Sequence, residues 1–243
     1  MKLLFLDTET TGNDLAKDRL CQVCYLALSE VEGKTSRGEP HTEYFKPPVP
    51  ISIKSMSITH ITNKMVADKR AFAGSEMEKN LKDLLVNHAL VAHNAKFDIA
   101  MLEAEGLKVL NFICTLRIAR YLDEGAVIPE YNLQFLRYYL DLEIEGTAHD
   151  ALGDVLVTEA IFNRQLQKFL DKGLNEEQAI EKMISISATP SLFKKMPFGK
   201  HKDKTLEEIA RTDRSYLEWL YKQKLEDGEQ DEDWLYTLKY YLG

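Results

Sequence analysis

The chain has 243 residues, enough for one large domain or for a medium domain followed by a small module. A formal charge of -8 argues against a protein that coats nucleic acid non-specifically, although a local basic surface is compatible with it. No apolar run approaches the ~18 residues of a membrane span and no basic-then-apolar leader opens the chain, so the expectation is a cytoplasmic protein with no membrane partner.

The first strand runs through Leu3, Leu4, Phe5 and Leu6, an apolar run of the kind buried on both faces of a sheet, and it ends in Asp7 and Glu9. Two apart on a strand, the carboxylates share a face, where repulsion and desolvation penalise both. A divalent cation is the simplest compensation, with Thr8, Thr10, Thr11 and Gly12 making the turn that follows. The plainer alternative is an Asp7 that begins an ordinary turn and a solvated Glu9. Arg19 to Leu28 reads as a second strand, and its Cys21 and Cys24 read as strand packing: a zinc site needs a second pair, and a redox pair opens a helix. Glu30 to Pro40 reads as a turn region and Glu43 to Lys46 as a third strand, so the first half is an antiparallel meander. Ile51 to Ala67 reads as short helical turns.

From Ser75 the apolar spacing becomes helical, with Met77, Leu81, Leu84 and Leu85 on one face and a capping box from Ser75 to Glu78. Ala89 to His93 is a fourth strand that runs into a helix closed by Gly106, with Asp98 in its first turn. Asn111 to Cys114 is a fifth strand, followed by a helix through Tyr121. This strand-helix-strand-helix order implies a parallel pair joined to the meander as one mixed sheet. Asn132 to Leu142 forms a helix broken by Gly146. A long helix follows, with Leu152, Leu156, Ala160 and Asn163 along one side. His149 and Asp154 are five apart, roughly 140° around a regular helix, so His149 is expected on the loop before that helix and Asp154 in its first turns.

Asn175 to Ala188 reads as another helix and Thr189-Pro190 as a boundary, which gives domains at 1–188 and 191–243. Between Lys194 and Lys224, nine Lys and Arg residues stand against five acids, a local excess of about +4 inside an acidic chain. That excess suits either a solvated helical face or a grip on nucleic acid.

DTETTG, HNAKFD and HDALGD together resemble the three motifs of the DEDD-type 3′-to-5′ exonucleases, in the subclass with a histidine five residues before the last aspartate. That family includes the proofreading epsilon subunit of DNA polymerase III, exonuclease X and RNase T. The resemblance covers roughly Met1 to Leu170. It implies an α/β, RNase H-like fold with a five-stranded mixed sheet whose second strand is antiparallel to the others, an arrangement the strand pattern also suggests. The C-terminal segment resembles the small, mostly helical module of exonuclease X-like proteins.

For chemistry the resemblance implies two Mg2+ or Mn2+ ions held by Asp7, Glu9, Asp98 and Asp154. Asp7, Glu9 and Asp154 would take the first ion, and Asp7 and Asp98 the second, with Glu9 counted in the catalytic set. His149 would be the general base. It points to Thr8, Thr10 and Thr11 for the terminal nucleotide, with Asn94 beside Asp98 as a further contact. The implied activity is metal-dependent 3′-to-5′ exodeoxyribonuclease action on DNA 3′ ends, in proofreading, repair or end trimming. Two alternatives stay open: an exoribonuclease trimming RNA ends, and a catalytic or docking subunit of a DNA polymerase. DNA is favoured over RNA as the partner, with a polymerase or another replication or repair protein as a second one.

Overall fold

The computed structural model describes residues 2–31, 34–144, 150–226 and 231–243. Its strands are β1 (Lys2–Thr10), β2 (Leu20–Val31), β3 (Lys34–Arg37), β4 (His41–Tyr44), β5 (His88–Ala92) and β6 (Phe112–Cys114). Its helices are α1 (Ile53–Thr59), α2 (Asn63–Val66), α3 (Glu76–Asn87), α4 (Ala95–Ala104), α5 (Thr115–Leu122), α6 (Leu133–Tyr139), α7 (Ala151–Leu170), α8 (Glu176–Ala188), α9 (Leu206–Thr212), α10 (Arg214–Glu226) and α11 (Glu232–Leu242). One mixed sheet has the order β3-β2-β1-β5-β6, with β4 also on β2. β2 lies antiparallel to β1, while β1, β5 and β6 are parallel. This is the RNase H-like arrangement that the strand pattern and the motifs implied.

The sheet has six strands among the described residues rather than five, because its outer edge is broken. β3 pairs with Leu28 to Val31 and β4 with Gln22 to Tyr25, so the two share one edge of β2 at different heights. β3 falls where a turn was expected. Its sequence, KTSR, carries no apolar residue that would mark an edge strand. The third strand ends at Tyr44, two residues before the expected Lys46, although the amide of Phe45 still donates to the Cys21 carbonyl.

β1 owes its central place to side chains that alternate into two cores. Leu4 and Leu6 join Ala95, Ile99 and Leu102 on the α4 side, while Leu3 and Phe5 join Ala151, Val155 and Phe162 on the α7 side. Phe5 is fully buried edge-on against Phe162, their centroids 5.3 Å apart. Burying such a ring contributes about 1.5–3 kcal/mol. Cys21 and Cys24, three apart on β2, fall into different apolar clusters, and burial pushes their thiols up to about 12 and about 11. Both are neutral packing residues.

Three helix expectations change in detail. α7 buries Ala151, Val155, Phe162 and Phe169 in the sheet-side core and Val157 and Ile161 in a cluster with Ala119 and Leu136, while Leu152 and Leu156 are half-buried. α7 is apolar over so much of its circumference that several stripes satisfy helical spacing, and the neighbouring elements decide which are covered. At α3, Ser75 caps the amide of Glu78 as expected, but the Glu78 carboxylate accepts from the amide of Gly74 rather than that of Ser75. α6 stops at Tyr139, where Asp141 adopts a left-handed φ of 53°; the expected break at Gly146 lies outside the described residues.

Residues 191–243 bring together an apolar cluster of their own from Met196, Leu206, Ile209, Leu217, Leu220, Trp234 and Leu238. α11 fastens this cluster to α5. Arg117, 5% exposed, donates to the Ser187 carbonyl, to Glu232 and to Asp233, and Arg120 donates to Asp233 at 2.7 Å. Of the nine cations from Lys194 to Lys224, Lys200, Lys204 and Arg214 pair with acids of the same segment, Lys224 pairs with Asp231 beyond it, and Lys194 and Lys195 donate to carbonyls at 123–126. No helix of the described residues is long and apolar enough to cross a membrane.

Candidate active site

Pairing between β1 and β5 stops at Phe5 and Val91, whereas β1 continues along β2 to a bulge between Glu9 and Thr10. The last residues of β1 therefore project past β5, into the crevice at the carboxyl ends of the parallel strands where α/β sheets bind ligands. Period-two alternation sets the faces. Asp7 and Glu9 continue the Leu3–Phe5 side toward α7, and Thr8 continues the Leu4–Leu6 side toward α4.

α7 begins beside Asp7 and Glu9, and its first turns bury Ala151 and Val155 in the core that also holds Phe5. This fixes Asp154, itself buried, in the crevice: carboxylate oxygens of Asp7, Glu9 and Asp154 lie within 4.8 Å of one another. On the other face Asp98, buried in the first turn of α4, accepts the Thr8 hydroxyl at 2.7 Å. The structure thus brings Asp7, Glu9, Asp98 and Asp154 to one crevice. His149 lies outside the described residues.

Two glutamines that the sequence reading passed over organise this site. Gln134, on α6, donates to Asp154 Oδ1 at 2.6 Å. Gln22, opposite Glu9 in the β1–β2 register, donates to Asp150 Oδ1 at 3.0 Å, and its side-chain oxygen accepts from the amide of Ala151. It ties β2 to the start of α7. The one signal for Gln22 was a polar residue inside an otherwise apolar strand; nothing comparable marks Gln134.

The hydroxyls of the three threonines after the acidic strand end have internal partners. Thr8 donates to Asp98, Thr10 to the Gly12 carbonyl and Thr11 to Asp18 Oδ1. Asp18 also accepts from the amide of Asp14 and closes the turn. A Cβ on Gly12 would stand 2.4 Å from the Asp18 carboxylate, so the turn needs glycine there. All three threonine side chains are buried, which leaves backbone rather than hydroxyls as the surface this turn offers to a nucleotide. Asn94 is exposed in a left-handed conformation (φ 60°) just before α4, and its side chain makes no cap hydrogen bond. Its neighbour His93 accepts from the Thr115 hydroxyl through Nδ1 and donates through Nε2 to the Tyr131 carbonyl. Burial pushes His93 down to about 4, which removes it from proton transfer at neutral pH.

The electrostatics are one-sided. Burial first, then the charges of Asp98, Glu9, Asp154 and Asp150, holds Asp7 well above the usual carboxylate range. Burial, then Asp154, Asp98 and Asp150, pushes Glu9 up to about 8. Burial also raises Asp98 to about 7 against the lowering effect of the Thr8 hydrogen bond. No Lys or Arg among the described residues acts to lower Asp7 or Glu9. An oxygen-only donor set of converging carboxylates fits a hard divalent cation and fits no soft metal.

Two family models match the chain. The exonuclease family model matches residues 4–162, and the exodeoxyribonuclease X-like C-terminal model matches residues 196–224. Exodeoxyribonuclease 10 of Escherichia coli (strain K12) is 30% identical over 245 residues, covering 99% of this chain and 98% of that protein. The DNA polymerase III subunit epsilon of Haemophilus influenzae is 29% identical over 171 residues, covering 65% of each chain. Among solved structures, exonuclease X in complex with 5′ overhanging duplex DNA superposes with a TM-score of 0.55 at 26% identity, covering 76% of this chain and 99% of that one.

Proposed function

The chain belongs to the exonuclease family whose model spans residues 4–162, and from that premise we infer that it is a metal-dependent 3′-to-5′ exodeoxyribonuclease that releases nucleoside monophosphates from DNA ends in the cytoplasm. The observation that carries this reading is the crevice in which carboxylate oxygens of Asp7, Glu9 and Asp154 converge within 4.8 Å. Asp7, Glu9 and Asp154 would hold one Mg2+ or Mn2+ ion, and Asp7 with Asp98 a second. Bound there, the ions supply a nucleophile at neutral pH and stabilise the leaving 3′ oxygen.

The protein's own groups do the rest. The Thr8 hydroxyl orients the Asp98 carboxylate, and Gln134 orients that of Asp154. Gln22 holds the start of α7 against β2. His149, five residues before Asp154, is assigned as the base that takes the proton of the attacking water. The turn from Thr8 to Thr11 and the exposed Asn94 are assigned to the terminal nucleotide. DNA is preferred to RNA in this reading on the strength of the relative that spans the whole chain, named an exodeoxyribonuclease. The likeness to an epsilon subunit supports a replication or repair protein as a further partner. Residues 1–188 are assigned as the nuclease domain and 191–243 as an appended module, a division supported by the separate apolar cluster around Trp234.

The test is degradation of matched single-stranded DNA and RNA oligonucleotides labelled at the 5′ end. Stepwise shortening from the 3′ end of DNA, abolished by EDTA and by Asp7→Ala, Asp98→Ala or Asp154→Ala with the fold intact, is expected. Faster loss of the RNA ladder would replace the DNA assignment with an exoribonuclease. Activity that survives EDTA would refute the metal reading.

A further inference from the structure

The module carries a surface that the catalytic chemistry does not use. On α10, Trp219 is 52% exposed and lies 5.6 Å from the ring of Tyr216, centroid to centroid. The helical neighbours of Trp219 one turn away are Ser215, Tyr216, Lys222 and Gln223, none of them a carboxylate. Lys200 places its ammonium 5.0 Å from the centroid of Tyr216, and a Cβ on Gly199 would stand 2.9 Å from the Tyr216 hydroxyl, so the loop at 198–202 is pressed against this face. Lys202 and Lys222 are exposed and have no ion-pair partner among the described residues. Phe198, 39% exposed, sits on the same loop and packs on Trp234 at 5.4 Å. The segment matched by the C-terminal family model, 196–224, is the one that builds this face, whereas α11, outside the match, supplies the contacts to α5.

The loop that carries Phe198 borders a cleft beside the helices of the active site. This cleft of about 850 Å³ runs between the two parts of the chain. Its lining includes Asn94, just before the helix that carries Asp98, Leu133, next to Gln134, and Pro197 and Trp234, against which Phe198 packs. The face itself offers exposed aromatic rings beside two exposed lysines with no ion-pair partner among the described residues. Rings for stacking together with cations for the backbone are how proteins hold single strands without reading their sequence.

We propose that the Phe198–Tyr216–Trp219 face is a second nucleic-acid site that binds the single strand upstream of the 3′ end, with Trp219 stacking on a base and Lys202 and Lys222 facing phosphates. The proposal rests on the nuclease reading above. It makes the module a device for retaining long strands between cleavage events, with no part in the chemistry.

Trp219→Ala and Lys222→Glu separate this proposal from that reading, since both side chains are exposed and neither belongs to the catalytic site. Binding of a labelled single strand of about 16 nucleotides is measured by anisotropy in EDTA, and turnover of this strand and of a trinucleotide is measured with Mg2+. Trp219→Ala is expected to weaken binding of the long strand by about 5- to 100-fold and to remove most of the tryptophan fluorescence quench, while leaving trinucleotide turnover unchanged. Lys222→Glu should weaken binding and make it less sensitive to salt. Long-strand affinity within twofold of wild type in both variants would overturn the proposal and favour a protein partner for the face. Equal losses on the long strand and the trinucleotide would also overturn it. A wild type that binds the long strand but degrades neither substrate would instead refute the nuclease reading.

Discussion

Glu9→Gln should stabilise the metal-free protein while abolishing its response to Mg2+. In the folded chain the Glu9 carboxyl is moved from 4.5 to about 8 by burial and by Asp154, Asp98 and Asp150. The folded state therefore holds a proton that the unfolded state has released, and stability falls as pH rises from the ordinary glutamate value toward 8. At about 1.4 kcal/mol per tenfold, the full penalty above that range is ~5 kcal/mol. Solvent reaching the half-buried side chain screens part of it, leaving about 1–3 kcal/mol. Glutamine keeps the shape without the charge. In EDTA, the melting temperature of Glu9→Gln at pH 8.5 should exceed that of wild type by about 2–10 °C, and the gap should shrink toward pH 5. Adding Mg2+ should raise the wild type and leave the variant nearly unmoved. The measurement is differential scanning fluorimetry across pH with and without Mg2+. A wild-type melting temperature flat from pH 5 to 8.5 in EDTA, or a variant less stable than wild type at pH 8.5, would refute the account of the site as a repulsive cluster awaiting cations.

Other expectations follow from individual contacts. His149→Ala should leave DNA binding nearly unchanged and cost about 100- to 10,000-fold in single-turnover rate, with loss of the limb that rises around neutral pH in the wild type; an unchanged limb would exclude His149 as the base. Gln134→Ala removes a hydrogen bond that orients the Asp154 carboxylate and should raise the Mg2+ concentration for half-maximal activity by about 10-fold or more, read from metal titrations of turnover. Arg117→Ala leaves Glu232 and Asp233 without their buried partner and should cost about 3 kcal/mol in urea unfolding, whereas exposed Lys200→Ala should cost less than about 1 kcal/mol.

Much of the catalytic crevice was legible in the chain because its signals are local. An apolar run that ends in two carboxylates conflicts with its immediate neighbours and so announces a ligand, while Asp98 and Asp154 were marked by the resemblance of their short motifs. Antiparallel β2 and parallel β5 and β6 followed from connection lengths, which are also local. Gln22 and Gln134 were not legible, because an amide that holds a carboxylate 128 or 20 residues away has no sequence spacing to mark it. The threonines after Asp7 illustrate the limit most clearly. Thr8, Thr10 and Thr11 were marked for the terminal nucleotide by their place after Asp7, but where their hydroxyls go was not legible: strand alternation and the approach of α4 and Asp18 give all three internal partners. Likewise a local count of about +4 between Lys194 and Lys224 says nothing of which cations face solvent unpaired. Residue type and short-range order determine what chemistry this chain can perform, while the partners of each polar group depend on which elements pack face to face, and that is decided only when the whole chain buries its two cores.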